Sequence, residues 1–212
     1  MASDTRLTDG GYGILSRTQP KLFNLTGNIC LGATGCWADV LTLTRLMGVR
    51  IKMFKYTHNN TIQTKECAQM LSTMLYAKRF FPYSVTNILV SPESKSVKKK
   101  SSIFFVYFQA GLNSEGKGVI YGYDPVGCIE ELVHVAGGAG VTLMQSLLDN
   151  QVDKKNQANV ERRPLTLEEA EKLIYDCFIS AAEREIHVGD GVCMRIVTKN
   201  GIEEKFMALR RD

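Results

Sequence analysis

Three groups of residues in this 212-residue chain have types and spacings that chemistry can use. His187 follows Glu185 by two positions and precedes Asp190 by three, a spacing open to acid–base work. Gly189-Asp190-Gly191 marks a turn there, so a solvated loop is the simpler reading. Gly137-Gly138-Ala139-Gly140 precedes a helical pattern and can offer backbone donors to an anion. No Lys-Ser/Thr pair follows it, so it is not a P-loop, and close backbone packing explains the glycines more simply. The third group is the six cysteines (Cys30, Cys36, Cys67, Cys128, Cys177, Cys193) and three histidines (His58, His134, His187). None form a C-x-x-C pair and the histidines lie far apart, so no metal site is expected. Buried free thiols in a reducing compartment, cytosol or nucleus, are expected instead.

The elements that would position these residues are ordinary globular ones. Hydrophobic content is 44% and charged content 23%. The net charge of +4 is concentrated in Lys95 and Lys98-Lys99-Lys100, so the balance argues for neither nucleic acid nor a membrane surface. No apolar stretch approaches a membrane span, and the N-terminus has no secretory-signal pattern.

Leu22 to Leu25 and Ile29 to Leu31 around Thr26-Gly27-Asn28 read as a hairpin. A helix follows Gly35-Cys36, with Val40, Leu43, Leu46, Met47, Val49 and Met53 as its apolar positions. A second helix is expected from an N-cap at Thr64, ended by Pro82. Strands are expected over residues 83–89, 119–123, 132–135, 192–198 and 205–209, the last two joined by an Asn-Gly turn. A short helix is expected from Gly140 to Asn150. Thr166 and Glu169 form a capping box for the clearest helix of the chain, with Ala170, Leu173, Ile174, Cys177, Phe178 and Ala181 on one face. Hairpin-connected strands with helices segregated in pairs predict an α+β fold, two stacked antiparallel sheets between two helical layers, in one domain over 1–212.

Four segments carry a family resemblance: Ala2-Ser3-Asp4-Thr5-Arg6-Leu7, Gly35-Cys36-Trp37-Ala38-Asp39-Val40-Leu41-Thr42-Leu43, Tyr121-Gly122-Tyr123-Asp124-Pro125-Val126-Gly127 and Phe178-Ile179-Ser180-Ala181-Ala182-Glu183-Arg184-Glu185. They resemble proteasome β subunits over nearly the whole chain. Arg79-Phe80-Phe81-Pro82-Tyr83 and Leu147-Leu148-Asp149-Asn150-Gln151-Val152 look like the sixth β subunit in particular. The resemblance implies the αββα sandwich of N-terminal-nucleophile hydrolases. It implies assembly with other α and β subunits in a four-ring, twenty-eight-subunit particle, beside the fifth and seventh β subunits, in cytoplasm and nucleus. No cofactor, nucleic acid or membrane partner is implied.

The family's chemistry transfers only in part. A catalytic β subunit attacks with an N-terminal threonine on a first strand, and this sequence opens after that strand. Asp4 matches the family's aspartate, Lys21 its lysine if one residue is inserted, and Gly35 its oxyanion glycine. Ala139 stands where a catalytic type has a serine, Glu185 replaces an aspartate, and Val188 replaces a second serine. The resemblance therefore implies a structural subunit without catalytic residues, with Asp4 and Lys21 as an inherited ion pair. The alternative is an active threonine protease whose nucleophile lies upstream of the given sequence.

One segment departs from the family. Residues 90–109 intervene before a short turn that the family reaches almost directly. Val90-Ser91 can be encoded as a splice donor and Phe108-Gln109 as an acceptor after an aromatic, T-rich tract. A retained in-frame intron is favoured over a lineage-specific loop, and over a nuclear-localisation or RNA-binding role for the lysine run.

Overall fold

The computed structural model describes residues 1–92, 118–154, 157–158, 165–198 and 201–210. The chain runs β1 (Ala2–Asp4), β2 (Leu7–Thr8), β3 (Ile14–Ser16), β4 (Leu22–Asn24), β5 (Cys30–Gly35), α1 (Trp37–His58), α2 (Thr64–Tyr76) and β6 (Val85–Pro92). It continues through β7 (Gly118–Tyr123), β8 (Ile129–Leu132), α3 (Val141–Gln151), α4 (Leu167–Ala182), β9 (Gly191–Thr198) and β10 (Gly201–Ala208). β4 to β8 form a five-stranded sheet in chain order, β1-β9-β10 form a second sheet, and β2-β3 form a separate hairpin. Every ladder among the described strands is antiparallel.

Side-chain alternation along β5 shows why the layers stack. Leu31 packs with Leu43 and Met47 of α1 and Leu71 and Leu75 of α2. Its neighbour Cys30 points the other way, into a cluster with Met1, Leu22, Cys193 and Val197 that joins the two sheets. On β9 the adjacent positions Val192, Met194 and Ile196 belong instead to a cluster with Ile174, Cys177, Phe178 and Ala181 of α4. Period-two strands thus bury both faces, and the two helix pairs cover the outside. The result is the expected four-layer α+β sandwich.

Local chemistry accounts for most of the element ends. Thr166 and Glu169 cap α4 reciprocally, as the sequence indicates. For α2 the cap is Gln63 with Glu66, one residue before the expected Thr64, which lies inside the helix and is buried. α2 also ends at Tyr76, well before Pro82, because residues 77–80 tighten into turns. The strand expected over 132–135 is displaced to Ile129–Leu132, which leaves His134 in the following loop.

Other differences concern faces and pairing. On α1 the buried positions are Val40, Leu43, Thr44, Met47 and Ile51, whereas Leu46, Val49 and Met53 are exposed. β6 extends past Leu89, pairing Val90 with Ile120, Ser91 with Val119 and Pro92 with Gly118, so the segment read as an insertion begins inside the sheet. Residues 93–109 of it lie outside the described residues. The opening residues form β1, which pairs with β9, and then the β2-β3 hairpin.

Among the described residues, Phe178 is the largest fully buried side chain. Replacing it with alanine is expected to cost about 3–5 kcal/mol, from lost transfer free energy and the cavity left behind. The shift of the urea-unfolding midpoint at constant slope measures it.

Candidate functional site

β1 carries buried charge into the molecule. Asp4 is 1% exposed and lies opposite Val192 in the β1-β9 ladder. Lys21 precedes β4, and its Nζ donates to Asp4 Oδ1 at 2.7 Å. The Lys21 carbonyl in turn accepts from the Ala33 amide at 3.2 Å, which ties the lysine to the strand that ends at Gly35.

Gly35 has φ +116°, and a Cβ there would stand 2.3 Å from the Ser84 carbonyl oxygen. Only glycine fits that turn into α1 without strain. The adjacent Cys36 amide donates to the same Ser84 oxygen at 2.8 Å. Asp39, in the first turn of α1, accepts from the Ser84 amide at 3.0 Å.

The glycine-rich loop before α3 passes the same end of the sheet. A Cβ on Gly137 would meet Ile88 and Thr86 of β6 at 3.3 and 3.4 Å. A Cβ on Gly140 would meet Val188 Cγ2 at 3.2 Å. Both glycines are therefore explained by close packing. Ala139 is exposed and Val188 is buried in the apolar cluster of α4. Glu185 is half-buried, its Oε1 accepting from the His187 amide at 3.2 Å.

The structure thus joins Asp4 to Lys21 directly, and brings Gly35, the 137–140 loop and Val188 to the adjoining strand ends. Neither Ala139 nor Val188 offers a side-chain hydrogen-bonding group. What remains is a lysine–carboxylate pair beside a backbone turn, with no hydroxyl relay at those two positions.

His187 is not in the solvated setting its neighbours suggest. It is half-buried, with Nδ1 2.8 Å from Thr8 Oγ1 of β2. Asp190 turns away from it into a charge cluster. Arg6 Nε donates to Asp190 Oδ2 at 3.0 Å, Arg17 reaches Asp190 Oδ1, and Arg6 Nη1 donates to the Ile186 carbonyl at 2.8 Å. Gly189 makes room: a Cβ there would meet the Arg6 guanidinium at 2.5 Å. Burial pushes the Asp190 carboxyl up, but the hydrogen bonds and charges of Arg6 and Arg17 outweigh it and hold the group below its ordinary value. Sequence reasoning missed this cluster, because the partners stand 184 positions apart. The one local signal is an aspartate flanked by glycines.

Of the cysteines, Cys30, Cys67, Cys177 and Cys193 are buried as expected, while Cys36 and Cys128 are exposed at turns. Burial pushes the Cys67 and Cys177 thiols up to about 12, so neither is a nucleophile.

Comparison with known proteins gives this geometry a context. The family model for proteasome subunits matches residues 1–197. Proteasome subunit beta type-1 of Drosophila melanogaster is 45% identical over the whole chain and 82% of its own length. The protein of that name from Danio rerio is 43% identical, over the whole chain and 81% of its length. Proteasome subunit beta type-6 of Saccharomyces cerevisiae is 38% identical, over the whole chain and 83% of its length.

Two predictions follow from the buried charges. Asp4→Asn or Lys21→Met alone should each cost about 3–5 kcal/mol, whereas the double variant should recover most of that loss. Urea unfolding of the three variants checks the cycle. Asp190 has a depressed folded-state value, so its contribution is fully present above the ordinary carboxylate pKa of about 3.9. That contribution is lost as the pH falls through the lower folded-state value. Asp190→Asn should therefore flatten the acid limb of the stability–pH curve and leave the neutral-to-alkaline slope unchanged.

Proposed function

The chain belongs to the proteasome subunit family, and we propose that it serves there as a non-catalytic β subunit of the 20S core. In this reading residues 1–212 form one proteasome β-type domain that closes an inner ring and shapes the chamber, with no catalytic, cofactor or metal residue taking part in proteolysis. The neighbours would be the fifth and seventh β subunits, and the setting cytoplasm and nucleus. No helix among the described residues is long and apolar enough to cross a membrane.

One observation carries the reading. Val188, at the position matched to a supporting serine, is 4% exposed and seals an apolar cluster against Gly140 and Ala181. A buried valine can neither hold an amine nor relay a proton. Ala139 leaves the second matched position without a hydroxyl as well. Loss of a positioned proton-transfer partner typically slows a step by ~10²–10⁴. The retained Asp4–Lys21 pair is accounted for by burial alone, since removal of either partner would strand a charge in the core.

The outer face of α1 supports the assembly role. Leu46, Val49, Met53 and Tyr56 recur at helical spacing and are all exposed, Tyr56 to 85%. A stripe of that kind on a folded subunit marks an interaction surface, and a neighbouring proteasome subunit is its natural cover.

The test is an epoxyketone probe reactive toward N-terminal threonine, applied to assembled particles that contain this subunit, with mass spectrometry of each β chain. Adducts are expected on catalytic neighbours and not on this chain. Labelling here at comparable stoichiometry would instead establish the active threonine-protease alternative.

A further inference from the structure

The sequence gives no metal-ligand spacing, yet the fold gathers His134, Asp149 and Asp153. One donor atom from each lies within 4.8 Å of the others. His134 sits in the loop after β8, Asp149 on the last turn of α3, and Asp153 two residues beyond that helix. We propose that this cluster is a binding site for a divalent first-row cation, zinc foremost, with His134 and Asp153 as ligands and Asp149 as the orienting partner. The proposal does not depend on whether the subunit is catalytic.

The argument rests on the imidazole. His134 is 8% exposed, and its Nε2 lies 3.0 Å from Asp149 Oδ1. Asp149 Oδ1 also accepts from Gln145 Nε2 at 3.2 Å, and Gln145 Oε1 accepts from the Ala136 amide at 2.9 Å. That chain fixes the carboxylate and sets Nε2 against it, which leaves Nδ1 facing Asp153. A ligating histidine is held in this way, its other N–H donated to a carboxylate.

Nδ1 is buried and has no hydrogen-bond partner. Asp153 Oδ1 faces it at 3.6 Å, too far for a hydrogen bond. An imidazole nitrogen and a carboxylate oxygen, both zinc-ligand types, thus face each other across that gap. With metal–ligand bonds of about 2.0–2.2 Å, two ligands of a tetrahedral zinc stand roughly 3.3–3.6 Å apart, so the gap needs little adjustment. The C-terminal end of α3 adds its negative dipole end at the same place. Asp149 and Asp153 are each about a third exposed, which leaves a path from solvent and room for water ligands. Imidazole with carboxylate suits zinc or manganese better than the all-oxygen preference of magnesium or calcium.

The experiment compares particles assembled with the wild-type subunit, Asp153→Asn, Asp149→Asn and His134→Asn. Each is stripped with chelator, titrated with zinc chloride, and read by elemental analysis and zinc-edge anomalous diffraction. The expected result is one additional zinc per copy of this subunit in the wild type, with density at His134 Nδ1. That zinc should be absent with Asp153→Asn and bound about 10–100-fold more weakly with Asp149→Asn. Asp153 is about a third exposed beyond a helix end, so its variant remains informative if His134→Asn fails to assemble. Equal zinc in wild type and Asp153→Asn, or no density at Nδ1, would overturn the site.

Discussion

Charge buried at the start of the chain is the constraint on which the rest of the structure turns. Asp4 and Arg6 are both nearly inaccessible, and they lie at the end of β1 and just after it, beside β9 in the three-stranded sheet. An isolated buried ion costs several kcal/mol, so each needs a partner held at fixed distance. Asp4 takes Lys21 from the approach to β4, and Arg6 takes Asp190 from the turn into β9. These two pairs bind the N-terminal segment to both sheets at once. They dictate where β1 lies, why Gly189 has no side chain, and why Asp190 accepts a left-handed backbone at φ 67°.

The parts of this fold legible in sequence are those with local causes. Thr166 and Glu169 announce α4 because a capping box is complete within four residues. The β4-β5 hairpin is legible because its turn residues and apolar runs adjoin. Errors arise where two local signals compete, or where only tertiary packing decides. Thr64 is a good cap by type, but Gln63 can pair reciprocally with Glu66 and wins. Leu46, Val49 and Met53 fit a helical apolar pattern as well as Ile51 does, and only the sheet beneath α1 selects which face is covered.

The site divides in the same way. Resemblance placed Asp4 with Lys21, and the structure confirms the contact at 2.7 Å. It also explains Gly35 as a position where a Cβ would collide and Gly140 as one where it would crowd Val188, which composition alone does not reveal. The Arg6–Asp190–Arg17 cluster and the His134 group escaped sequence reasoning for one physical reason. Their members come from separate elements, and no spacing rule covers contacts that only a finished sandwich creates. His134 reads as solitary among residues 129–135, and its partners sit one helix later.

A buried pair such as Asp4–Lys21 is a poor witness to catalysis, because its persistence has an independent physical cause. Replacing either member alone strands the other's charge in the core, so single substitutions are disfavoured whether or not the pair serves a reaction. Hydroxyls that support a reaction lack this protection. Changing a serine to valine beside Gly140 and Ala181 removes a polar group from an apolar setting and adds methyl contacts, which packing favours. When selection for turnover is relaxed, the charges should therefore outlast the hydroxyls. The combination seen here, an intact ion pair with alanine and valine at the positions matched to serines, is what that asymmetry would produce in a non-catalytic subunit. It is why the apolar positions, rather than the charged ones, carry the functional reading.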